Sequence, residues 1–460
     1  NRDKGKGSGY SPFLRWKYLN ESRYYPSGDR MVDHYMPFKE YERIERESAA
    51  NGNRLFATGG WHSLGPDTIG KITGHYAAGL GRVEYVEVNR NNPQQIYMAS
   101  RSGGLWRTNN EGVTWSHNTD FLPASGVNTI AASPTNFDSV LINVQSGELK
   151  ISFGIYRSVN GGQTFTPTNF MPATVGFGGL GSNFKIYIIK YHPRIPNMVL
   201  VGTSQGLYRS MDNLQTWTRQ IVGGDVYDIA FHPTNNNIIY IYDGFFTANK
   251  NKILKSTDLG VTYTGLPDLT GNANSKIKIA LSPTCTDCIF ASSSNGIWKS
   301  TNGGTSFITT VTPAPVGISI YSALPNDLDT SKYVAGYVDL SRSTNGGASF
   351  TKCTAWSLGD AMNGTGTNQE NYNNSPRYVH ADNNYMTCVN GVFYSCTDGF
   401  LNKSSDNGIT WHKLSLTTGT RENYCVATSQ SNHYFSVCGS QDNGTSAVTE
   451  NGWMEVYGAD

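Results

Sequence analysis

The sequence predicts an all-β protein, and three observations predict it. Gly (50 residues) and Tyr (27) are abundant while charged residues make up only 15%, a balance that favours short strands and tight turns over long helices. Runs of five or six β-branched and aromatic residues recur between turn signals, as in "VYDIAFHPTNNNIIYIYDG". A polar phrase, "WKSTNGGTSFIT" at 298–309, returns in altered form near 106, 156, 208, 254, 341 and 402. Aligned on their first hydroxyl residue, the copies start at Thr108, Ser158, Ser210, Ser256, Ser300, Ser343 and Ser404, spaced by 50, 52, 46, 44, 43 and 61 residues. That period fits one four-stranded β-propeller blade per copy, so 460 residues form one repeat array and not several separate cores.

Residues 1–58 lack the blade pattern and read as a helical strap. Ser11 and Pro12 in "SPFLRWKYL" suit an N-cap and first helical position, and "PFKEYERIERESAA" puts Phe38, Tyr41 and Ile44 on one face with Glu42 and Arg46 paired across a turn. Residues 59–460 read as the propeller. Each unit runs as an apolar strand, a turn, a second apolar strand, a Gly and a short third strand leading into the motif. Seven motifs account for the chain to about Leu414. The runs "YCVATSQ", "HYFSVCGS" and "WMEVYG" then predict a partial eighth blade, closing on an N-terminal strand near Trp61 or continuing into further blades. The insertion 354–377 explains the longest spacing and is either a binding loop or a spacer.

The motif is a turn by its chemistry. Its third position is Asn110, Asn160, Asp212, Asp258, Asn302, Asn345 or Asp406, side chains that accept hydrogen bonds from loop N–H groups. Its fifth position is Gly in six copies and Leu214 in the other, and an aromatic follows, expected to be buried beneath the turn. Four of the seven third positions are Asn, which transfers no proton near neutral pH, so a shared metal or acid–base role is not expected. A strand, not a helix N-terminus, follows the Gly, so the phrase is no phosphate loop. No metal site and no cofactor are expected.

Net charge of +1 gives no general attraction to nucleic acid or anionic membrane, and no run of 18 apolar residues could span a bilayer. The opening "NRDKGKGSGY" has no apolar signal core, so the protein is either cytoplasmic or has lost a leader. Cys285 and Cys288 form the only close cysteine pair and lack the further ligands of a zinc site. Cys425 and Cys438, on two strands flanking "SQSN", are the disulfide candidate if the compartment is oxidising.

The pattern S/T-x-D/N-x-G-x-T-W/F resembles the Asp-box, or BNR repeat, of sialidases, xyloglucan-cleaving glycoside hydrolases and sortilin-type propellers. The order "WHSLGPDTIG", "VHADNNYMTCVNGVFYSCTDGF", "CGSQDNGT" and "YGAD" is similar to large secreted propeller proteins of Bacteroidetes that leave the cell by the type IX secretion system. This resemblance implies an extracellular or cell-surface location after signal-peptide removal, components of the type IX translocon as partners, and further blades and a sorting domain beyond residue 460. The chain departs from it at Gly399–Phe400, where the family has "DGG", and at Ala459, where it has "GGDG".

The sialidase-like "RIP" at Arg194–Pro196 falls in a strand-connecting turn and reads as that turn. A basic residue precedes every motif (Arg107, Arg157, Arg209, Lys255, Lys299, Arg342, Lys403), either as a cationic ring for a polyanion or, preferred, as stems covering apolar sheet. His380, Asp382, Asp398, Gln441, Asp442 and Asn443 break the repeat pattern and are the candidate binding residues. Asp382, Asp398 and Asp442 are also the weak candidates for a catalytic acid and base, although inter-blade hydrogen bonding is the preferred reading. The expected function is therefore a binding or adhesion module, taking an extracellular glycan or surface protein. The alternative is a glycoside hydrolase of the xyloglucanase or sialidase-like type.

Overall fold

A computed structural model describes residues 10–24, 39–40, 42–44, 46–47, 65–66, 71–72, 79–147, 149–176, 184–244, 252–270, 276–311, 322–356, 375–432 and 434–457. Trp61, Phe38, Tyr41, Asp460 and most of the 354–377 insertion lie outside them. Among the described residues of the strap a helix spans Tyr10–Tyr24, starting one residue before the expected Ser11 cap. In the second helical piece Arg43, not Arg46, makes the ion pairs, reaching Glu40 and Glu47 across one turn at 2.5 and 2.6 Å.

All other described elements of regular structure are strands, and they form eight four-stranded antiparallel sheets in sequence order: 83–117, 126–167, 186–222, 226–265, 278–311, 322–352, 385–413 and 423–457. Within each sheet the strands are consecutive, so every connection is a hairpin. The eighth sheet corrects the expectation of a partial blade. It has all four strands, and residues Lys71–Ile72 add a fifth, parallel to Gly452–Tyr457. An N-terminal segment does join the last strand, at 71–72.

The apolar runs explain the layering. Second strands such as Ile96–Ser100 and Val199–Thr203 are buried at every position, because each lies within its sheet and is covered on both faces by neighbouring sheets. First strands mix buried and partly exposed positions, with Glu84 and Glu87 in Val83–Val88 only partly exposed between buried residues. Fourth strands are two to six residues long; the two-residue ones at Thr166–Pro167 and Thr351–Lys352 are exposed. The cores sit between sheets: Ile188, Leu200, Ile229, Ile241 and Leu254 form one between the third and fourth. Val86, Met98, Tyr394 and Leu401 form another between the first and seventh. First strands touch in order from the first sheet to the seventh, and Val83–Val88 packs back on Tyr385–Val389, so seven sheets make a closed cycle of contacts.

The repeated motif is the turn into the fourth strand, as expected, and its hydrogen bonds recur from copy to copy. In the fifth sheet the Ser300 hydroxyl donates to Asn302 Oδ1 at 2.9 Å and accepts the N–H groups of Asn302 and Gly304 at 3.3 and 3.0 Å. Asn302 Oδ1 in turn accepts the Ser306 N–H at 3.0 Å. The same set is built on Thr108, Ser158, Ser210, Ser256 and Ser343. Leu214 holds φ of 65° where the other copies have Gly, and its fully buried side chain offsets that strain. The following aromatics are half-buried in six copies, and only Trp411 is fully buried, so the expectation of uniformly buried rings is corrected.

Because Ser300 satisfies two backbone N–H groups in a buried corner, Ser300→Ala should cost about 1–3 kcal/mol. Urea unfolding would read this as a shift in midpoint at constant slope; an unchanged midpoint would mean that the hydroxyl is dispensable.

The basic residues before the motifs follow neither sequence reading in full. Their heads clamp the next sheet: Arg209 Nε donates to Leu259 O at 2.9 Å, Lys255 Nζ to Gly303 O at 2.9 Å, and Lys403 Nζ to Glu111 at 2.5 Å, the last joining the seventh sheet to the first. Two of the ammonium heads also sit over aromatic rings, with Lys255 Nζ 5.7 Å from the Tyr240 centroid and Lys299 Nζ 5.5 Å from that of Phe290. Arg194 behaves likewise, as its guanidinium bonds Pro233 O at 2.6 Å and His232 O at 2.8 Å in the adjoining turn. That arrangement matches the reading of "RIP" as a connecting turn.

Candidate functional site

The six candidate residues, scattered over 64 positions of sequence, come together where the eighth sheet meets the first and seventh. Leu80 N–H and Val83 N–H donate to Gly399 O and Thr397 O at 3.0 and 2.9 Å, fixing the strand entry of the first sheet against the seventh. Thr420 Oγ1 donates to Leu80 O at 3.0 Å and Arg421 Nη2 to Gly79 O at 2.5 Å, bringing in the chain that leads to the eighth sheet. The backbones approach so closely that a Cβ on Gly79 would lie 2.6 Å from Gly399 Cα and 2.1 Å from Asn443 Oδ1. Only Gly fits there.

Within this junction Asp398 is buried. Its Oδ1 accepts Asn384 Nδ2 at 2.7 Å and lies 3.4 Å from Arg82 Nη1. Its backbone carbonyl accepts Asn443 Nδ2 at 3.1 Å. Burial pushes its carboxyl above the usual range, against the pull of Arg82 and Asn384. The Asp442 side chain lowers it slightly, as a minor contribution. Asp382 is half-buried, and its carboxyl is likewise raised by burial and then by Asp442. His380 is almost wholly buried, and burial lowers its pKa, so the neutral ring donates Nε2–H to Asp442 O at 3.0 Å. Gln441 N–H bonds Glu422 O at 2.9 Å, and its own carbonyl accepts Asn443 Nδ2 at 2.7 Å. Asp382 and Asp442 both hold left-handed backbone, at φ of 61° and 54°.

Around this cluster run ion pairs that the sequence did not signal. Arg82 Nε donates to Glu84 at 2.9 Å, Arg101 Nε to Glu422 at 2.9 Å, and Ser102 Oγ to the same carboxylate at 2.8 Å. Among the described residues, no group of three or more His, Cys, Asp or Glu is placed to hold a metal ion.

The disulfide expectation is corrected. Cys425 pairs in register with Gly439, and Val426 with Cys438, so the two thiols project from opposite faces of the eighth sheet and both are free. The bond forms instead between Cys285 and Cys288, whose Cα atoms lie 5.3 Å apart at the start of the fifth sheet's second strand, Cys285–Ser293.

A second concave region lies among the first strands, on the axis of the cycle. A cavity of about 610 Å³ is lined by Tyr85, Glu87, Lys190, Tyr191, Tyr385 and Thr387 and rimmed by the exposed turn residues Arg90, Asn91 and Pro134. A smaller one, about 220 Å³, shares Lys190, Tyr385 and Thr387 and adds Asp228, Lys278 and Ser322. Sequence reasoning passed over these residues. The available signal was a charge inside an otherwise apolar first strand, as with Glu87 in "VEYVEV", Lys190 in "IYIIKY" and Lys278 in "KIKIA".

Cyclic contacts, consecutive four-stranded sheets and an axial cavity define the chain as a β-propeller. No family model matches it, and no curated protein does. Among solved structures it is similar to the GH74 xyloglucanase from Xanthomonas campestris, at 14% identity and TM-score 0.59 over 84% of this chain and 62% of that one. It is also similar to an ancestral GH74 enzyme, at 18% and 0.58 over 83% and 55%, and to YCF48 from Cyanidioschyzon merolae, at 13% and 0.50 over 71% and 96%. The chain thus spans 62% and 55% of the two GH74 proteins, and at these identities the likeness is one of fold.

Proposed function

We propose that the protein is an extracellular or cell-surface binding propeller, an adhesion module carried out of the cell by the type IX secretion system. The observation that carries the binding reading is the state of Asp398: 3% exposed, held by Asn384 and near Arg82, and engaged in fastening the eighth sheet to the ring. A buried carboxyl so committed does not face a partner acid across an open groove, as hydrolysis of a glycoside requires. The Cys285–Cys288 disulfide supports an oxidising compartment. No helix among the described residues is long and apolar enough to cross a membrane. The resemblance of "VHAD", "TDGF" and "SQDNG" to type IX cargo supplies the route and the translocon as partner.

A second reading, glycoside hydrolase, is favoured by one feature, the raised carboxyls of Asp398 and the half-buried Asp382 with Asp442 acting on both. A glycan array probed with the purified chain, with reducing-sugar release measured in parallel, separates them. Binding without release is expected; release abolished by both Asp382→Asn and Asp442→Asn would replace the binding reading with the hydrolase.

A further inference from the structure

We propose that the open face of the eighth sheet is an interface for a second copy of this chain, packed eighth sheet on eighth sheet about a twofold axis. The inference does not rest on the adhesion reading, because it concerns how copies of the chain associate, whatever ligand they bind.

In the ring each sheet is covered on both faces by its neighbours, and the second strands show it. Val140–Gln145, Val199–Thr203, Ile239–Asp243 and Tyr333–Gly336 are buried at every position. The eighth sheet departs from this plan. Its second strand, Ser436–Ser440, alternates between buried and partly exposed residues, and its first, Asn423–Thr428, is exposed at five of six positions. Register assigns the sides. Cys438, Ser446 and Glu455 share one face and are all buried, and Arg421, from the chain entering the sheet, donates to the Ser446 hydroxyl. On the opposite face two rows cross the sheet, Cys425–Gly439–Thr445–Tyr457 and Ala427–Val437–Ala447–Met454, and of these eight residues only Ala447 is buried. One face is covered and the other is open, and an open face of this kind marks a surface for association.

Three properties of the open face select a second copy as its occupant. Neither row carries a charged residue, so the face offers nothing for an oppositely charged partner to read and sets up no repulsion against itself. Its side chains are graded in size: Cys425, Ala427 and Gly439 lie in the first two strands, Met454 and the 69% exposed Tyr457 in the fourth. A twofold axis parallel to the strands lays the first strand of one copy over the fourth of the other, large side chains on small, which is how facing sheets interdigitate. The partner that fits is therefore another uncharged sheet face left open by its own ring. The first seven sheets cover one another in the closed cycle, so among the described residues the chain has one such face, and it is this one. A contact between two identical faces closes at two copies.

Light scattering of the whole chain on size exclusion, from about 1 to 100 µM, tests this, and a rise from the monomer mass to twice that mass is expected. Cys425 supplies a second readout: it is the exposed one among the five free cysteines, and its alkylation by iodoacetamide should slow as the dimer forms. Ala427→Lys and Val437→Lys, which each place two like charges in the contact, should weaken dimerisation about tenfold or more. Val222→Lys, at an exposed apolar position on the third sheet's outer strand, should leave it unchanged. The wild-type concentration series stands even if a variant misfolds. A chain that stays monomeric at the highest concentration gives the face to another occupant and overturns the proposal. So do assemblies larger than a dimer, a dimer in which Cys425 stays reactive, and a dimer that both lysine variants of the open face leave intact.

Discussion

Glu87→Gln is expected to stabilise the protein at pH 8 by up to about 3 kcal/mol and to leave it nearly unchanged at pH 4.5. The Glu87 carboxyl moves from 4.5 in the open chain to about 7 in the fold, burial being the main cause and Lys190 drawing it back only in part. Its native pKa lies above the unfolded one, so the native state binds the proton more tightly. The penalty of ionising it is complete above pH 7, shrinks as the pH falls, and is gone below 4.5. The amide mimics the protonated acid and removes the penalty. Urea unfolding at the two pH values reads the difference, and an equal effect at both would show that Glu87 is not desolvated in the channel.

The repeat made the propeller legible in the sequence because each blade solves the same local problem. The hydroxyl at Ser300 and its equivalents, the Asn or Asp two residues on, and the Gly after it are dictated by one tight turn, so residue type reports backbone geometry directly. The junction was half legible. His380, Asp398 and Asn443 stood out because they interrupt the pattern, and the structure does bring them together. Their partners Arg82, Arg101 and Glu422 did not, since an arginine at a strand entry looks the same whether it points to water or to a carboxylate three hundred residues away. The cysteines failed for a geometric reason. Spacing placed Cys425 and Cys438 on adjacent strands, but facing is decided by register, and a shift of one residue reverses it. The channel charges were visible as anomalies inside apolar strands, but their convergence depends on closure between the first and seventh sheets, a contact spanning most of the chain.

Asp398→Ala is expected to cost about 3–5 kcal/mol and to loosen the eighth sheet before the ring itself unfolds. The substitution removes the carboxylate that accepts Asn384 Nδ2 at 2.7 Å and stands 3.4 Å from Arg82 Nη1, leaving a half-buried guanidinium with Glu84 as its remaining acid. It also removes the side-chain partner of Asp442, whose carbonyl holds His380. The seven-sheet cycle keeps its own cores and its Lys403–Glu111 closure, so the loss falls on the junction. Amide hydrogen exchange should therefore show protection falling first in the strands Asn423–Thr428 and Ser436–Ser440, with the strand Ile96–Ser100 retaining it. Asp398→Asn keeps the shape and one acceptor oxygen and should recover most of the stability. If instead both variants unfold as tightly as the wild type while a glycan-cleaving activity disappears, Asp398 is a catalytic acid and not a fastening, and the binding reading falls with it.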